Sequence, residues 1–292
     1  MLPYLDLGFR QLPMYGLMSA LGILVAGLFA YRAAEQYGVR SVLPVQTMRP
    51  VRPELPLCLG QQMQPVDMVE VLGIGAIGAF IGMHLLYALV QFPHWKELSL
   101  WEIFGGSVFY GGLLGGLGLG WLWVRIRKYP AGPMADIAAC AIPLFHAFGR
   151  VGCFFAGCCY GIPFSHGFVM HDSLNPVGDG VARFPVQLLE ALLLLILFLV
   201  LNGIRKKRLS LLKEEGAATE QKRKPNRREG SLLPLYLLSY AVIRFGDEFL
   251  RGDTYRGIWL FFSTSQWISV FILAGIAIYY TAAGRRRTDT AA

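Results

Sequence analysis

Sixteen consecutive residues carry the densest chemistry in the chain: His146-Ala147-Phe148-Gly149-Arg150-Val151-Gly152-Cys153-Phe154-Phe155-Ala156-Gly157-Cys158-Cys159-Tyr160-Gly161. Four glycines surround one arginine and three cysteines. A guanidinium offers a planar fork of donors that matches phosphate oxygens. Glycines beside it leave backbone N–H groups free to complete an anion-binding nest. A second arginine, Arg244, is followed by Asp247 and Glu248. Arg244 and Glu248 stand four residues apart and so share one helix face as an ion pair. The cysteines form no CxxC pair, and Cys58 and Cys140 are remote. A zinc or iron–sulfur site wants a fourth ligand, for which only His146 or His166 is at hand, so no metal site is expected. A disulfide among the three suits an oxidising face. Small apolar filling of a tight turn is the plainer reading, above all for Cys159.

The elements that must position these residues follow from composition. The 292 residues are 54% hydrophobic and only 16% charged, and mean hydropathy is +0.46. A water-soluble globule keeps about a quarter of its residues charged, so most of this surface faces lipid. The figures exclude a disordered chain, a coiled coil and a small disulfide scaffold. High-hydropathy windows predict an all-α polytopic membrane protein with about seven spans, forming one domain over 1–292. The spans are 14–31, 67–91, 106–124, 134–149, 186–204, 232–250 and 264–282. Of 27 Lys and Arg, 20 fall after spans one, three and five and in the C-terminal tail, against six on the other side. That bias puts the N-terminus outside and the C-terminus in the cytoplasm. The net charge of +8 is therefore a topology signal. The basic loop 205–230 reads as a solvated cytoplasmic segment near anionic headgroups, and without interleaved aromatics it implies no nucleic acid. No cleavable signal peptide is evident, and the first span reads as a retained anchor.

An ionisable group inside a span costs several kcal/mol and calls for an explanation. With this topology, Tyr15, His84, Tyr110, His146, Arg150, Glu190, Arg244, Asp247 and Glu248 all fall toward the outer leaflet. A shared polar cavity opening there is the economical reading, and the anion most available to it is a phospholipid headgroup. Bland alternatives stand beside it. Arg244 and Glu248 can simply neutralise each other. Glu190, His84 and His146 can be helix–helix hydrogen bonds, and Tyr15 and Tyr110 interfacial aromatics. The glycines at 112, 116 and 120 predict close helix packing, while Gly105-Gly106 and Gly111-Gly112 leave room beside Tyr110.

Five separated segments resemble the bacterial prolipoprotein diacylglyceryl transferase family, in order along the chain. They are Tyr15-Gly16-Leu17-Met18, Tyr110-Gly111-Gly112-Leu113-Leu114-Gly115, Gly149-Arg150-Val151-Gly152 through Gly161, Arg183-Phe184-Pro185-Val186-Gln187-Leu188-Leu189-Glu190, and Ile243-Arg244-Phe245-Gly246-Asp247-Glu248-Phe249-Leu250-Arg251. The chain departs from the family pattern at four points. Tyr110 stands for the family's catalytic His, Cys153 for the signature Asn, Cys158 for a Glu, and His84 for an Arg of the second span. Tyr15, Arg150, Gly161, Arg244 and Glu248 match.

The resemblance implies transfer of the diacylglyceryl group of phosphatidylglycerol to the lipobox cysteine of prolipoprotein signal peptides, at the outer leaflet of the bacterial cytoplasmic (inner) membrane. The thiolate attacks the glyceryl carbon, a thioether forms and glycerol phosphate leaves. It further implies that Arg150 and Arg244 hold the phosphate, with Glu248 orienting Arg244. Tyr110 or His84 takes the thiol proton, and Tyr15, Gly152, Cys153 and Gly161 line the substrate. No metal or organic cofactor is implied, and the partners are phosphatidylglycerol, prolipoproteins and membrane lipids. Two other classes compete: a membrane protein that binds or transports an anionic lipid without this chemistry, and a thiol-redox protein using Cys153 and Cys158.

Overall fold

The computed structural model describes residues 4–6, 8, 11–38, 63–92, 95, 99–100, 102, 109–169, 180–218, 230–252 and 258–289. At some element ends, Tyr110 among them, only the backbone is described. Seven α-helices occupy the seven hydropathy peaks among the described residues. They are α1 Met14–Gly38, α2 Pro65–Val90, α3 Phe109–Ile126, α4 Ala131–Ala156, α5 Val186–Ala218, α6 Leu232–Asp247 and α7 Thr264–Asp289. The protein is an all-α polytopic membrane protein. Helices α1, α2, α4 and α5 contain segments long and apolar enough to cross a membrane, and α7 contributes a shorter apolar stretch. Many of their large apolar side chains, Leu24, Leu85 and Leu199 for example, face outward without protein cover, as lipid-facing helices require.

Short antiparallel ribbons decorate the helices: β1 Tyr4–Asp6 with β2 Gln11–Pro13, β3 Pro163–Val169 with β4 Ala182–Arg183, and β5 Ile258–Trp259 with β6 Phe262–Ser263. The chain divides into two compact units, one of Met1–Ala26 with Ala138–Ala292 and the other of Gly27–Ile137. The boundaries fall inside α1 and α4.

Two helix ends differ from the sequence expectation, each for a local reason. The basic connection expected to begin at 205 continues α5 in helix to Ala218, and 219–229 lies outside the described residues. Leu, Arg, Lys and Glu are strong helix formers, so nothing stops the helix where the apolar run ends. At about 1.5 Å per residue its 33 residues exceed a hydrocarbon core of about 30 Å. Helix α4 likewise runs to Ala156 instead of ending near 149. Arg150, Gly152 and Cys153 therefore ride on its last turns instead of lying in a loop beyond it.

In the unit 27–137, glycines set the packing of α2 on α3. A Cβ on Gly82 would strike the Gly111 carbonyl, and one on Gly78 the Gly115 carbonyl, so the two backbones touch. Both pairs are four residues apart, the small-residue spacing that lets membrane helices meet at backbone distance. Contact centres on Gly111 and Gly115, one position before the predicted stripe. Gly116 packs tightly against Ala79 and Gly75, whereas Gly120 makes only ordinary contact. Beyond α3, Tyr129 donates to Glu70 Oε2 and accepts from Arg127 Nε at 3.2 Å, which ties this linker to the start of α2.

Candidate active site

The unit formed by 1–26 and 138–292 gathers most of the chemistry. Glu190, in the second turn of α5 and 2% exposed, is its hub. Its Oε2 lies 2.6 Å from Arg150 Nη2 and 4.0 Å from Arg244 Nη1, while Oε1 lies 3.8 Å from His146 Nε2. Arg244 Nη2 lies 2.8 Å from Glu248 Oε2, the pair that the four-residue spacing predicts, and donates to Ser265 Oγ at 3.0 Å. Ser265 is held in the first turn of α7 by a reciprocal cap: Ser263 N donates to Gln266 Oε1 at 3.0 Å and Gln266 N to Ser263 Oγ at 3.2 Å. His146 also packs edge-on against Tyr240, with ring centroids 5.2 Å apart.

This arrangement explains how one buried arginine, Arg150, and one partly buried, Arg244, can sit in a membrane helix bundle. Two carboxylates offset two guanidiniums, so the group needs little net charge to be desolvated. It also leaves donors over. A guanidinium carries five N–H groups, and among the described residues Arg150 Nε and Arg244 Nη1 are buried with no hydrogen-bond partner, as is Glu190 Oε1. The two donors belong to different helices but adjoin the same carboxylate. An oxyanion can engage these spare donors while the carboxylates hold the forks in position, as charge-assisted bonds to phosphate require.

The cysteine turn is built by the end of α4. Gly157, at φ 77°, donates to the Phe154 carbonyl at 3.2 Å, and Cys158 N donates to the Cys153 carbonyl at 3.2 Å. This is the Schellman closure, with glycine in the left-handed position after the last helical turn. It folds Cys158 back over Cys153, whose carbonyl lies 3.7 Å from Cys158 Sγ. Cys159 then takes a left-handed φ of 57°, uncommon for a residue with a side chain. The three thiols converge, with all sulfurs within 4.8 Å of one another, and each is half-buried.

The turn is locked from outside. Gln187, 1% exposed, donates from Nε2 to the Cys158 carbonyl at 2.7 Å. Ile162 N donates to Leu250 O, Phe184 N to Ile162 O and Gly252 N to Tyr160 O, each at 2.9 Å. A Cβ on Gly161 would collide with the Phe184 carbonyl, so only glycine lets these strands close. The Arg183 guanidinium caps Tyr160 at 4.5 Å from the ring centroid.

Of the residues singled out from sequence, Arg150, Arg244 and Glu248 come together in the ionic group. Cys153 joins the thiol group one turn beyond Arg150. Gly152 lies within α4, where a Cβ would press on Tyr15 and Met18 at 3.2 Å. Its backbone therefore belongs to helix packing and not to a loop nest. Tyr15, at the start of α1, covers Gly152 and is 49% exposed. His84 and Tyr110 belong to the other unit. His84 stacks edge-on against Phe80 at 4.6 Å on α2, and the Tyr110 side chain lies outside the described residues, its backbone opening α3 just before Gly111. His146 is engaged with Glu190 and His166 sits on exposed β3 beside Ser165, so neither joins the thiols. The central place of Glu190 is not legible in the sequence, although it follows Gln187 by three residues in the segment 183–190.

The family model described as prolipoprotein diacylglyceryl transferase matches residues 4–281. The chain is 32% identical over 216 residues to phosphatidylglycerol--prolipoprotein diacylglyceryl transferase 2 of Clostridium perfringens, covering 70% of this chain and 74% of that protein. It is 31% identical to the phosphatidylglycerol--prolipoprotein diacylglyceryl transferase of Clostridium tetani, covering 70% and 77%. It is 30% identical to that of Verminephrobacter eiseniae over 240 residues, covering 77% of each chain.

Proposed function

The chain belongs to the prolipoprotein diacylglyceryl transferase family, and on that premise we propose how its own residues carry the transfer from phosphatidylglycerol to prolipoprotein. The acceptor is the lipobox cysteine of the signal peptide, and the enzyme works at the outer leaflet of the cytoplasmic membrane as a multi-pass protein with its N-terminus outside. The observation that carries the reading is the pair of spare guanidinium donors, Arg150 Nε and Arg244 Nη1, beside one shared carboxylate. They receive the phosphate whose charge grows as the C–O bond breaks. Glu190 and Glu248 keep the two forks aimed. The names of the relatives favour neither a carrier without chemistry nor a thiol-redox protein.

A thiolate must form before attack, because the thiol itself is a poor nucleophile. Tyr110 stands at the motif position of the family's proton acceptor and takes that role here, passing the proton on to solvent. His84 is the other residue of suitable type. Tyr15, Gly152 and Gly161 shape the walls against which the lipid and peptide lie.

The test is reconstitution of the purified protein in vesicles of phosphatidylglycerol with a lipobox peptide. Release of glycerol phosphate in proportion to modified peptide is expected. Intact peptide and no glycerol phosphate, with folded protein present, would refute the assignment.

A further inference from the structure

We propose that Cys153, Cys158 and Cys159 form a three-thiolate zinc site whose open fourth position takes the acceptor thiol of the prolipoprotein. The proposal rests on the transferase reading for its substrate, but not for its metal chemistry. The geometry carries it. Four-coordinate zinc with Zn–S bonds of about 2.3 Å holds its sulfurs about 3.8 Å apart. The three sulfurs here already lie within 4.8 Å of one another. That spacing is within about 1 Å of the one zinc needs.

The backbone is arranged for this convergence. A Schellman turn by itself brings its flanking side chains, here Cys153 and Cys158, into apolar contact, and small apolar residues of many kinds would serve. It does not account for a third thiol, Cys159, delivered to the same point by a left-handed residue. Gln187 holds the turn through the Cys158 carbonyl, as outer-shell partners hold metal ligands. Among the described residues no fourth His, Cys, Asp or Glu joins the group. A structural zinc site is closed by four protein ligands, whereas three ligands with one open position are the pattern of a catalytic one.

The open position suits this reaction. A thiol bound to zinc is deprotonated outright, so the peptide cysteine arrives as its thiolate and its proton passes to solvent. The sulfur then attacks the glyceryl carbon, the C–S bond forms, the C–O bond to phosphate breaks, and glycerol phosphate leaves with that electron pair. The thioether product is neutral and a weaker ligand, so it departs. Arg150 lies three residues before Cys153 on α4, which puts a phosphate donor and a metal ligand on one helix face.

The experiment is performed on the full chain purified in detergent under reducing conditions, with zinc measured by elemental analysis and cobalt used as the spectroscopic substitute. About one metal per chain is expected, with a thiolate-to-cobalt charge-transfer band. Cys153→Ser, Cys158→Ser and Cys159→Ser should each weaken metal binding at least tenfold while the thermal transition is retained. A lipobox peptide should alter the cobalt ligand-field bands, and the same peptide with Ser for Cys should not. Absence of the charge-transfer band from the folded wild-type protein, or a stable disulfide among the three in protein taken from membranes, would overturn the site. An unchanged spectrum on adding peptide would overturn the open position. The two readings also separate in the transfer assay. Full transfer by the metal-free protein removes the zinc proposal and keeps the transferase. Metal and peptide binding without glycerol phosphate release keeps the site and removes the transferase.

Discussion

Replacing Glu190 by Gln keeps the shape of the hub and removes its charge. In the protein, the carboxylate is 2% exposed and the Arg150 side chain 11% exposed, with 2.6 Å between them. Breaking such a pair from one side strands a buried cation and typically costs about 3–5 kcal/mol. Arg244 retains Glu248 at 2.8 Å, so the loss falls mainly on Arg150 and the lower part of that range applies. For a chain of this size about 3 kcal/mol corresponds to a fall in Tm on the order of 5–10 °C. Thermal unfolding of the detergent-solubilised protein, followed by intrinsic tryptophan fluorescence, reads this directly. The double variant Arg150→Met with Glu190→Met removes both charges and keeps volume, so it should recover most of the stability. It should nevertheless remain inactive in transfer, because the phosphate donor is gone. An unchanged Tm for Glu190→Gln would refute the hub. Transfer at the wild-type rate by the double variant would refute the clamp.

Other expectations are as direct. Tyr110→Phe should lower turnover by about 10²-fold, within the usual range for groups that handle protons, and Tyr110→His should retain or raise it; if Phe is silent and His84→Gln inactive, the acceptor is on α2. Gly82→Val should prevent close approach of α2 and α3 and reduce membrane accumulation, since its Cβ meets the Gly111 backbone; normal accumulation and Tm would argue against that packing. Gly161→Ala should disturb the cysteine turn through the Phe184 carbonyl, lowering transfer without loss of lipid binding in a flotation assay. Reporter fusions after residues 215 and 290 should read cytoplasmic and one after 170 external; a cytoplasmic reading at 170 would contradict the topology.

Much of the fold was legible because a membrane makes hydropathy decisive. A chain with so few charges has to bury its backbone polarity in helices, and each apolar peak became one. The Arg244–Glu248 pair was legible from its spacing on a single helix. Glu190 was not, because its partners come from α4 and α6 and no local pattern encodes a contact between helices. The thiol cluster is not legible from hydropathy, because the apolar window ends near 149 and leaves Cys153 outside the helix. With α4 running to Ala156 and Gly157 closing it, Cys153 and Cys158 occupy the two positions that a Schellman turn brings together. Glycine followed by two cysteines after an apolar run was the available signal. The division at Ala26 and Ala138 had no sequence counterpart, since both boundaries lie inside continuous helices.

The central claim is that Arg150 and Arg244 stabilise the departing phosphate of phosphatidylglycerol. Its most direct test is the mass of a lipobox peptide after incubation with the wild-type protein, Arg150→Ala, Arg150→Lys, Arg244→Ala and Arg244→Lys in phosphatidylglycerol vesicles. Wild type should add one diacylglyceryl group in thioether linkage. Both Ala variants should add none while remaining folded in the membrane, and Lys should rescue only in part because a point charge lacks the planar fork. Full modification by both Ala variants would contradict the account.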